Sequence, residues 1–254
     1  GVRIGAVSGS VAESGTVATF TVQLGSQPTA SVNLPLVVSD SSEAEVSLDN
    51  VSWAASKTLS IATGSWNTDQ RVYIRGIQDN VSDGTQSFVP GKPLFGTLIA
   101  LLHQGRPVLG VIDMPALGER WVGRQDQPTT FNGNPVHAQV CDDLAQAWLY
   151  ATSPQMFEDA DFPAFERLRK QARRTVYGAE CMAYGLLANG TVDLVCEGTM
   201  KLYDYAAVVP IVEGAGGVIT DWRGRALGME GNGTVLAAGD HALHAAAIEV
   251  LTGD

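Results

Sequence analysis

The feature that most constrains the fold is a change of sequence pattern within residues 77–88. Before it, short segments alternate polar and apolar residues, as in 17–24, where Ala18, Phe20 and Val22 share one face. After it come Gly-rich turns, alanine-rich apolar runs and charged loops. The first pattern predicts strands with one buried face, and the second predicts alternating strands and helices. We therefore expect two parts, residues 1–82 and 83–254, built on different principles.

The charge and cysteine content exclude several classes of protein. A formal net charge of −11 argues against binding to nucleic acid or to an anionic membrane, because both require a basic surface. No apolar run is long enough to span a bilayer, and the first residues do not have a signal-peptide pattern. The three cysteines, all beyond residue 100, form neither a disulfide framework nor a zinc motif, and we expect them to be reduced, buried thiols. The cysteine-containing second part is typical of cytoplasmic proteins, whereas the Ser/Thr-rich first part is typical of surface proteins. The composition therefore does not decide between these two locations.

The first part has the pattern of an antiparallel β-sandwich. Alternating segments at 17–24, 31–38 and 70–76 are separated by turn residues, and their spacing favours two packed sheets. The order of 11–24, 28–36 and 66–80 resembles a Calx-beta-type repeat, which is an Ig-like sandwich. That resemblance implies calcium binding by acidic loop residues, here Glu13, Asp40 and Asp79, although solvated turn residues would have the same composition.

This first part is also incomplete in comparison with such a repeat. The repeat normally continues for two more strands after its Asp-Gly turn, but the pattern changes soon after Gln86. An incomplete sandwich leaves a strand edge unpaired and a core face uncovered. We therefore expect the two parts to pack on each other, or strands to pair between chains in a homo-oligomer.

The second part has the pattern of an α/β layer. Runs at 94–103 and 107–113 predict a hairpin turning at 104–106. Short strands are predicted at 119–123, 129–135, 145–152, 192–196, 218–220 and 234–238. Helices are predicted at 162–174, 179–189, 203–213 and 241–251, the last capped by Asp240. Strands that alternate with helices in this way predict sheets covered by helices.

Several motifs of the second part have a known counterpart. They are Asp83-Gly84-Thr85 and the segments 105–115, 130–135, 177–184, 193–197, 203–207 and 213–222. Together they resemble the inositol-monophosphatase superfamily, and most closely its histidinol-phosphatase-like branch. The resemblance covers 83–254 and implies Mg²⁺-assisted hydrolysis of a small phosphate monoester. In such chemistry, divalent ions held by carboxylates polarise the phosphoryl group and activate the attacking water.

The same resemblance assigns a role to individual residues. Asp83 would be a metal ligand and, with Thr85, a catalytic residue, while Gly84 and Thr85 would contact the phosphate. Asp204 would be the distant metal ligand. Glu197 matches the position that contacts a substrate hydroxyl, and Glu180 matches a second position on the substrate side.

The sequence also departs from the family pattern around Asp83. The first aspartate of the family motif falls on Asn80, and Asp79 is one residue out of register, which in a strand reverses the side-chain direction. Nothing in 1–82 resembles the family's N-terminal helices or its Gly-Glu-Glu ligand segment. Glu43 and Glu45 lie in a strand-like pattern and are poor substitutes.

These departures leave three hypotheses for the function. The first is a chimera of a Calx-beta-like fragment and a truncated phosphatase whose activity is lost or very weak. The second is a residual Mg²⁺-dependent phosphatase that uses Asp83, Thr85 and Asp204, and the third is a calcium-dependent binding module. His241 and His244 are predicted to lie on a solvated helix face rather than to bind a metal.

Overall fold

A computed structural model describes residues 1–5, 7–8, 17–38, 44–76, 93–158 and 161–253. The chain divides into two compact units, one of residues 1–83 with 101–104 and the other of 84–100 with 105–254. No helix in these described ranges is long and apolar enough to cross a membrane.

The first unit contains a four-stranded antiparallel sheet and a two-stranded one. The larger sheet has the order β1 (Val2–Ile4), β2 (Val17–Leu24), β6 (Gln70–Gly76) and β4 (Ala44–Ser47), and the smaller pairs β3 (Val32–Val37) with β5 (Ser56–Ile61). Burial alternates along β2, with Ala18, Phe20, Val22 and Leu24 buried. The strands predicted at 17–24, 31–38 and 70–76 are confirmed. An Ig-like sandwich of the Calx-beta type stays a prediction.

A five-stranded sheet has the order β11-β10-β9-β8-β7, and all of it except Leu101–His103 of β7 belongs to the second unit. Its strands are β7 (Thr97–His103), β8 (Arg106–Met114), β9 (Glu119–Arg124), β10 (Gln127–Phe131) and β11 (Asn134–Pro135). The turn predicted between the first two strands is confirmed. Gln104 and Gly105 both have positive φ, 51° and 78°, as a two-residue hairpin turn of the primed type requires.

A second, mixed sheet has the order β13-β12-β14-β16-β15. Its strands are β12 (Trp148–Ala151), β13 (Arg174–Tyr177), β14 (Leu194–Glu197), β15 (Val218–Thr220) and β16 (Val235–Ala238). Both neighbours of β12 run parallel to it, whereas β16 is antiparallel to β14 and β15. Three consecutive strands of this sheet, β13, β12 and β14, therefore end at the same edge.

In the part of the second unit that the structure describes there are five α-helices: α1 (Asp161–Gln171), α2 (Met182–Ala188), α3 (Leu202–Tyr205), α4 (Val208–Gly214) and α5 (His241–Thr252). One core joins α2 and α4 to Ile112 and Trp121 of the five-stranded sheet and to Val195 of the mixed sheet. A second core packs α1 and α5 on the other face of the mixed sheet, with Phe165 and Leu243 at its centre. The unit is therefore layered in the order sheet, helices, sheet, helices.

Three element predictions in this unit were wrong in extent. The helix predicted at 203–213 is two helices, because α4 restarts at Val208 and so has Pro210 in its first turn, where no N–H is needed. The helix predicted at 162–174 ends at Gln171, since the chain must return to pair Arg174 with Trp148. The strand predicted at 145–152 begins only at Trp148, after a 3-10 helix at Leu144–Gln146.

The prediction for the last helix was half right. Asp240 caps α5 as expected, its carboxylate accepting from the backbone N–H groups of Ala242 and Leu243. His241 is exposed, but His244 is buried and its Nε2 lies 2.9 Å from the Thr220 hydroxyl. The expectation that both histidines face solvent was wrong for His244, since that side of the helix packs on the mixed sheet.

Candidate active site

The candidate site lies at the edge where the parallel strands of the mixed sheet end. Glu197 is the last residue of β14, Thr152 directly follows β12, and Glu180 follows β13 by three residues. Carboxyl ends of parallel strands are a common place for ligand sites, since the loops that leave them converge there. The fold therefore places two of the sequence-predicted substrate-side residues, Glu180 and Glu197, at one edge.

Glu197 is a buried carboxyl group held by Thr152. Only 2% of the residue is exposed, and its Oε1 accepts hydrogen bonds from the Thr152 backbone N–H and from the Thr152 hydroxyl, both at 3.0 Å. Burial raises the pKa of Glu197 to about 8, with smaller contributions from the negative charges of Asp204 and Glu180, and the Thr152 donors oppose this rise. The carboxyl group is therefore largely neutral at pH 7.

Asp204 lies in the first turn of α3, where its carboxylate caps the N-terminus of the helix. Its Oδ2 accepts from the Lys201 backbone N–H at 2.8 Å, so α3 itself fixes the carboxylate. Burial is the main cause of the raised pKa of Asp204, and the Lys201 N–H and ammonium act against it. Because the charge of Asp204 acts on Glu197, the fold places these two predicted residues in one electrostatic environment.

Glu180 precedes α2 in a conformation that is uncommon for a residue with a side chain. Its φ is +50°, in the left-handed region, which costs about 1 kcal/mol or more outside glycine. Such backbone strain is found most often at functional sites. The conformation agrees with the substrate-side role implied for Glu180 by the sequence.

Two further groups, the phenol of Tyr184 and the thiol of Cys181, interact electrostatically with these carboxyls. Tyr184 of α2 is 1% exposed, and its hydroxyl has no hydrogen-bond partner among the described residues. Burial, followed by the charges of Glu197, Cys196 and Asp204, raises the pKa of Tyr184. Burial also raises the pKa of Cys181 to about 12, so this thiol is not a nucleophile at neutral pH.

The cysteine prediction is confirmed in part. All three cysteines are free thiols, as expected, but only Cys196 is a fully buried residue, whereas Cys141 and Cys181 are partly buried. The Cys181 thiol lies 3.8 Å from the thioether of Met114.

The other predicted site residues lie outside the described residues. These are Asp83, Gly84, Thr85 and Asp79 of the metal and phosphate motif, and Glu13 and Asp40 of the calcium hypothesis. Of the predicted set, the structure therefore locates Glu180, Glu197 and Asp204. Thr152 was missed, because its role depends on the pairing of β12 with β14, which no local pattern reveals.

Solved structures with the same layered arrangement identify the class of the fold. The chain matches an inositol monophosphatase from Zymomonas mobilis with a TM-score of 0.66 and 49% identity, covering 67% of either chain. It matches an inositol monophosphatase from Anabaena with a TM-score of 0.61, covering 67% of this chain and 69% of that one, although the identity is 24%. Over two thirds of its length the protein therefore has an inositol-monophosphatase fold.

The family follows from the sequence match. The model of the inositol monophosphatase family matches residues 83–252, so the chain belongs to this family. It is 48% identical over 176 residues to the bifunctional phosphatase IMPL2, chloroplastic, of Arabidopsis thaliana, covering 66% of this chain and 51% of that protein. It is 35% identical over 156 residues to a histidinol-phosphatase of Chlorobaculum parvum, covering 61% and 60%. The chain thus spans between half and two thirds of the length of these relatives.

The family generally uses Mg²⁺, and of the residues that the resemblance assigns to its metal centre only Asp204 lies in the described ranges. In the described ranges no group of three or more His, Cys, Asp or Glu side chains is arranged to hold an ion. Asp204 is the only predicted ligand located there, and its Oδ2 is engaged by the Lys201 N–H. A clamp of two metal ions needs several carboxylates.

Proposed function

We propose that this protein is a phosphomonoesterase-type member of the inositol monophosphatase family whose hydrolytic activity is lost or very weak. The observation that carries the proposal is in the sequence: Asn80 replaces the first aspartate of the family motif before Asp83, and nothing in 1–82 resembles the family's Gly-Glu-Glu ligand segment. Removing groups that act together in such a site typically lowers turnover by several orders of magnitude.

Two residues of the proposed substrate side, in contrast, have a defined position in the structure. Glu197, held by Thr152, and Glu180, in its left-handed conformation, occupy the edge of the mixed sheet. We propose that this side still binds a small phosphate monoester. Because relatives are named as histidinol-phosphatases and inositol monophosphatases, histidinol phosphate and inositol 1-phosphate are the probes to use.

We also propose that residues 1–82 derive from a Calx-beta-like repeat joined to the phosphatase part near Asp83. The family match that begins at residue 83 and the antiparallel strands at Val17–Leu24, Val32–Val37 and Gln70–Gly76 support this origin. A junction there would have removed the family's Gly-Glu-Glu ligand segment while keeping Asp83 and Thr85. The proposed origin thus explains why ligands of the family's metal site are missing from the sequence, whereas Glu180 and Glu197 of the substrate side are present.

A phosphate-release assay tests the proposed loss of activity. With either probe at millimolar concentration, with and without Mg²⁺, we expect turnover at least about 1000-fold below that of the Zymomonas mobilis enzyme assayed in parallel. Asp204→Asn is the matched control, since it removes the charge but keeps an acceptor oxygen for the Lys201 N–H. Mg²⁺-dependent turnover that Asp204→Asn abolishes would contradict the proposal and establish a residual phosphatase.

A further inference from the structure

Thr152 contacts Glu197 through two donors that act on one oxygen. Its backbone N–H and its hydroxyl both lie 3.0 Å from Oε1 of Glu197, and neither donates to Oε2. The parallel pairing of β12 with β14, with Leu149 opposite Leu194, brings the ends of the two strands side by side. The sheet itself therefore fixes the position of both donors.

A carboxyl group held at a single oxygen has a defined orientation. Without such donors it can rotate about its last side-chain torsion, which is broad for glutamate. Two donors on Oε1 oppose that rotation and keep the two oxygens distinct. Thr152 is suited to this task, because its β-branched side chain has few χ1 rotamers available.

We propose that Thr152 is a positioning residue whose paired donors orient the Glu197 carboxyl group and leave Oε2 to contact the bound ligand. The inference rests on the proposed function, which assigns Glu197 to the substrate side. Thr152 touches neither substrate nor reacting atoms in this scheme and acts through Glu197. A merely structural Thr152 would stabilise the strand ends without affecting the ionisation of Glu197 or the affinity for a ligand.

Four variants separate these roles. Thr152→Val keeps the shape and the backbone N–H but removes the hydroxyl donor, and Thr152→Ser restores that donor. Thr175→Val is a matched control on the neighbouring strand β13, because the Thr175 hydroxyl is buried and has no partner among the described residues. Glu197→Gln identifies the Glu197 signal.

The first measurement is the titration of Glu197, followed by carbon-13 NMR of the carboxyl groups in glutamate-labelled full-length protein. A donor to the carboxylate favours its charged form. We therefore expect the Glu197 titration midpoint to rise by about one pH unit in Thr152→Val. The midpoints of Thr152→Ser and Thr175→Val should remain at the wild-type value. An unchanged midpoint in Thr152→Val would overturn the inference.

The second measurement is calorimetric binding of histidinol phosphate at pH 7.5. We expect Thr152→Val to bind about 10-fold more weakly than wild type, because one of the two hydrogen bonds that orient the Glu197 carboxyl group is lost. Thr152→Ser and Thr175→Val should bind as wild type does. If Thr152→Val binds as tightly as wild type while Glu197→Gln does not bind, the inference about Thr152 is overturned but the assignment of Glu197 to the substrate side is not. Wild-type protein that binds neither histidinol phosphate nor inositol 1-phosphate would overturn the substrate-side assignment as well.

Discussion

Alanine in place of Gly110 is expected to lower the free energy of unfolding of the second unit by about 3 kcal/mol or more. A Cβ added at Gly110 would lie 1.8 Å from the backbone carbonyl oxygen of Ala207 and 2.7 Å from its carbonyl carbon. Neither atom belongs to a flexible side chain. The start of α4 would have to move away from the sheet, and the core between them would open.

The reason lies in a pair of glycines that face each other across two strands. Gly110 of β8 is the register partner of Gly123 of β9, where an added Cβ would lie 2.3 Å from the Pro210 carbonyl oxygen. The two glycines thus let the backbone of α4 approach the sheet directly. Two residues further along the strands, the register pair of Ile112 and Trp121 is fully buried in the shared core. Interiors packed at this density do not absorb an extra methyl group without a shift of whole elements.

Hydrogen–deuterium exchange of the β8 and β9 amides measures this effect in the relevant unit, whatever the stability of the other. Gly118→Ala is the control, since Gly118 has a φ of +66° and nothing within 4 Å of its added Cβ. That change should cost about 1 kcal/mol from backbone conformation alone. Equal protection of the amides in Gly110→Ala and Gly118→Ala would show that the close approach to Ala207 is not stabilising.

The order of elements in the second unit could be predicted from the sequence because local signals mark most of them. Gln104-Gly105 marked the hairpin and Asp240 marked the start of α5, and both are confirmed. Pro210 contained the signal for the break between α3 and α4, but the apolar run across 203–213 concealed it. The glycine contact at Gly110 was not predictable, since it depends on which helix crosses which strands.

The candidate site was predictable only where a family motif carried it. Glu180, Glu197 and Asp204 were found by resemblance, and the structure places them along the edge of the mixed sheet and in the helix that follows it. Thr152 belongs to no motif, and its contact with Glu197 spans 45 residues of sequence. Groups that tune a carboxyl group from another strand become visible only when the register of the sheet is known.

Replacement of Glu197 by glutamine is expected to make the stability of the protein less dependent on pH. The pKa of Glu197 is about 8 in the folded protein, against an ordinary value of 4.5. The folded state therefore binds the proton more tightly than the unfolded state does. The contribution of Glu197 to the free energy of unfolding is complete below pH 4.5 and is lost progressively as the pH rises to about 8. Above that pH the folded state must contain a buried charge.

The difference in the free energy of unfolding between wild type and Glu197→Gln isolates the contribution of Glu197. Urea unfolding of wild type and Glu197→Gln, repeated from pH 4.5 to 8.5, should give similar free energies of unfolding at the acid end. At the alkaline end Glu197→Gln should be more stable by several kcal/mol, at most about 5. Its amide oxygen can still accept both Thr152 donors, so the gain comes from the removed ionisation. Glu249→Gln, an exposed change on α5, should give a flat difference across the range. A flat difference for Glu197→Gln as well would mean that Glu197 ionises as readily in the folded protein as in the unfolded chain.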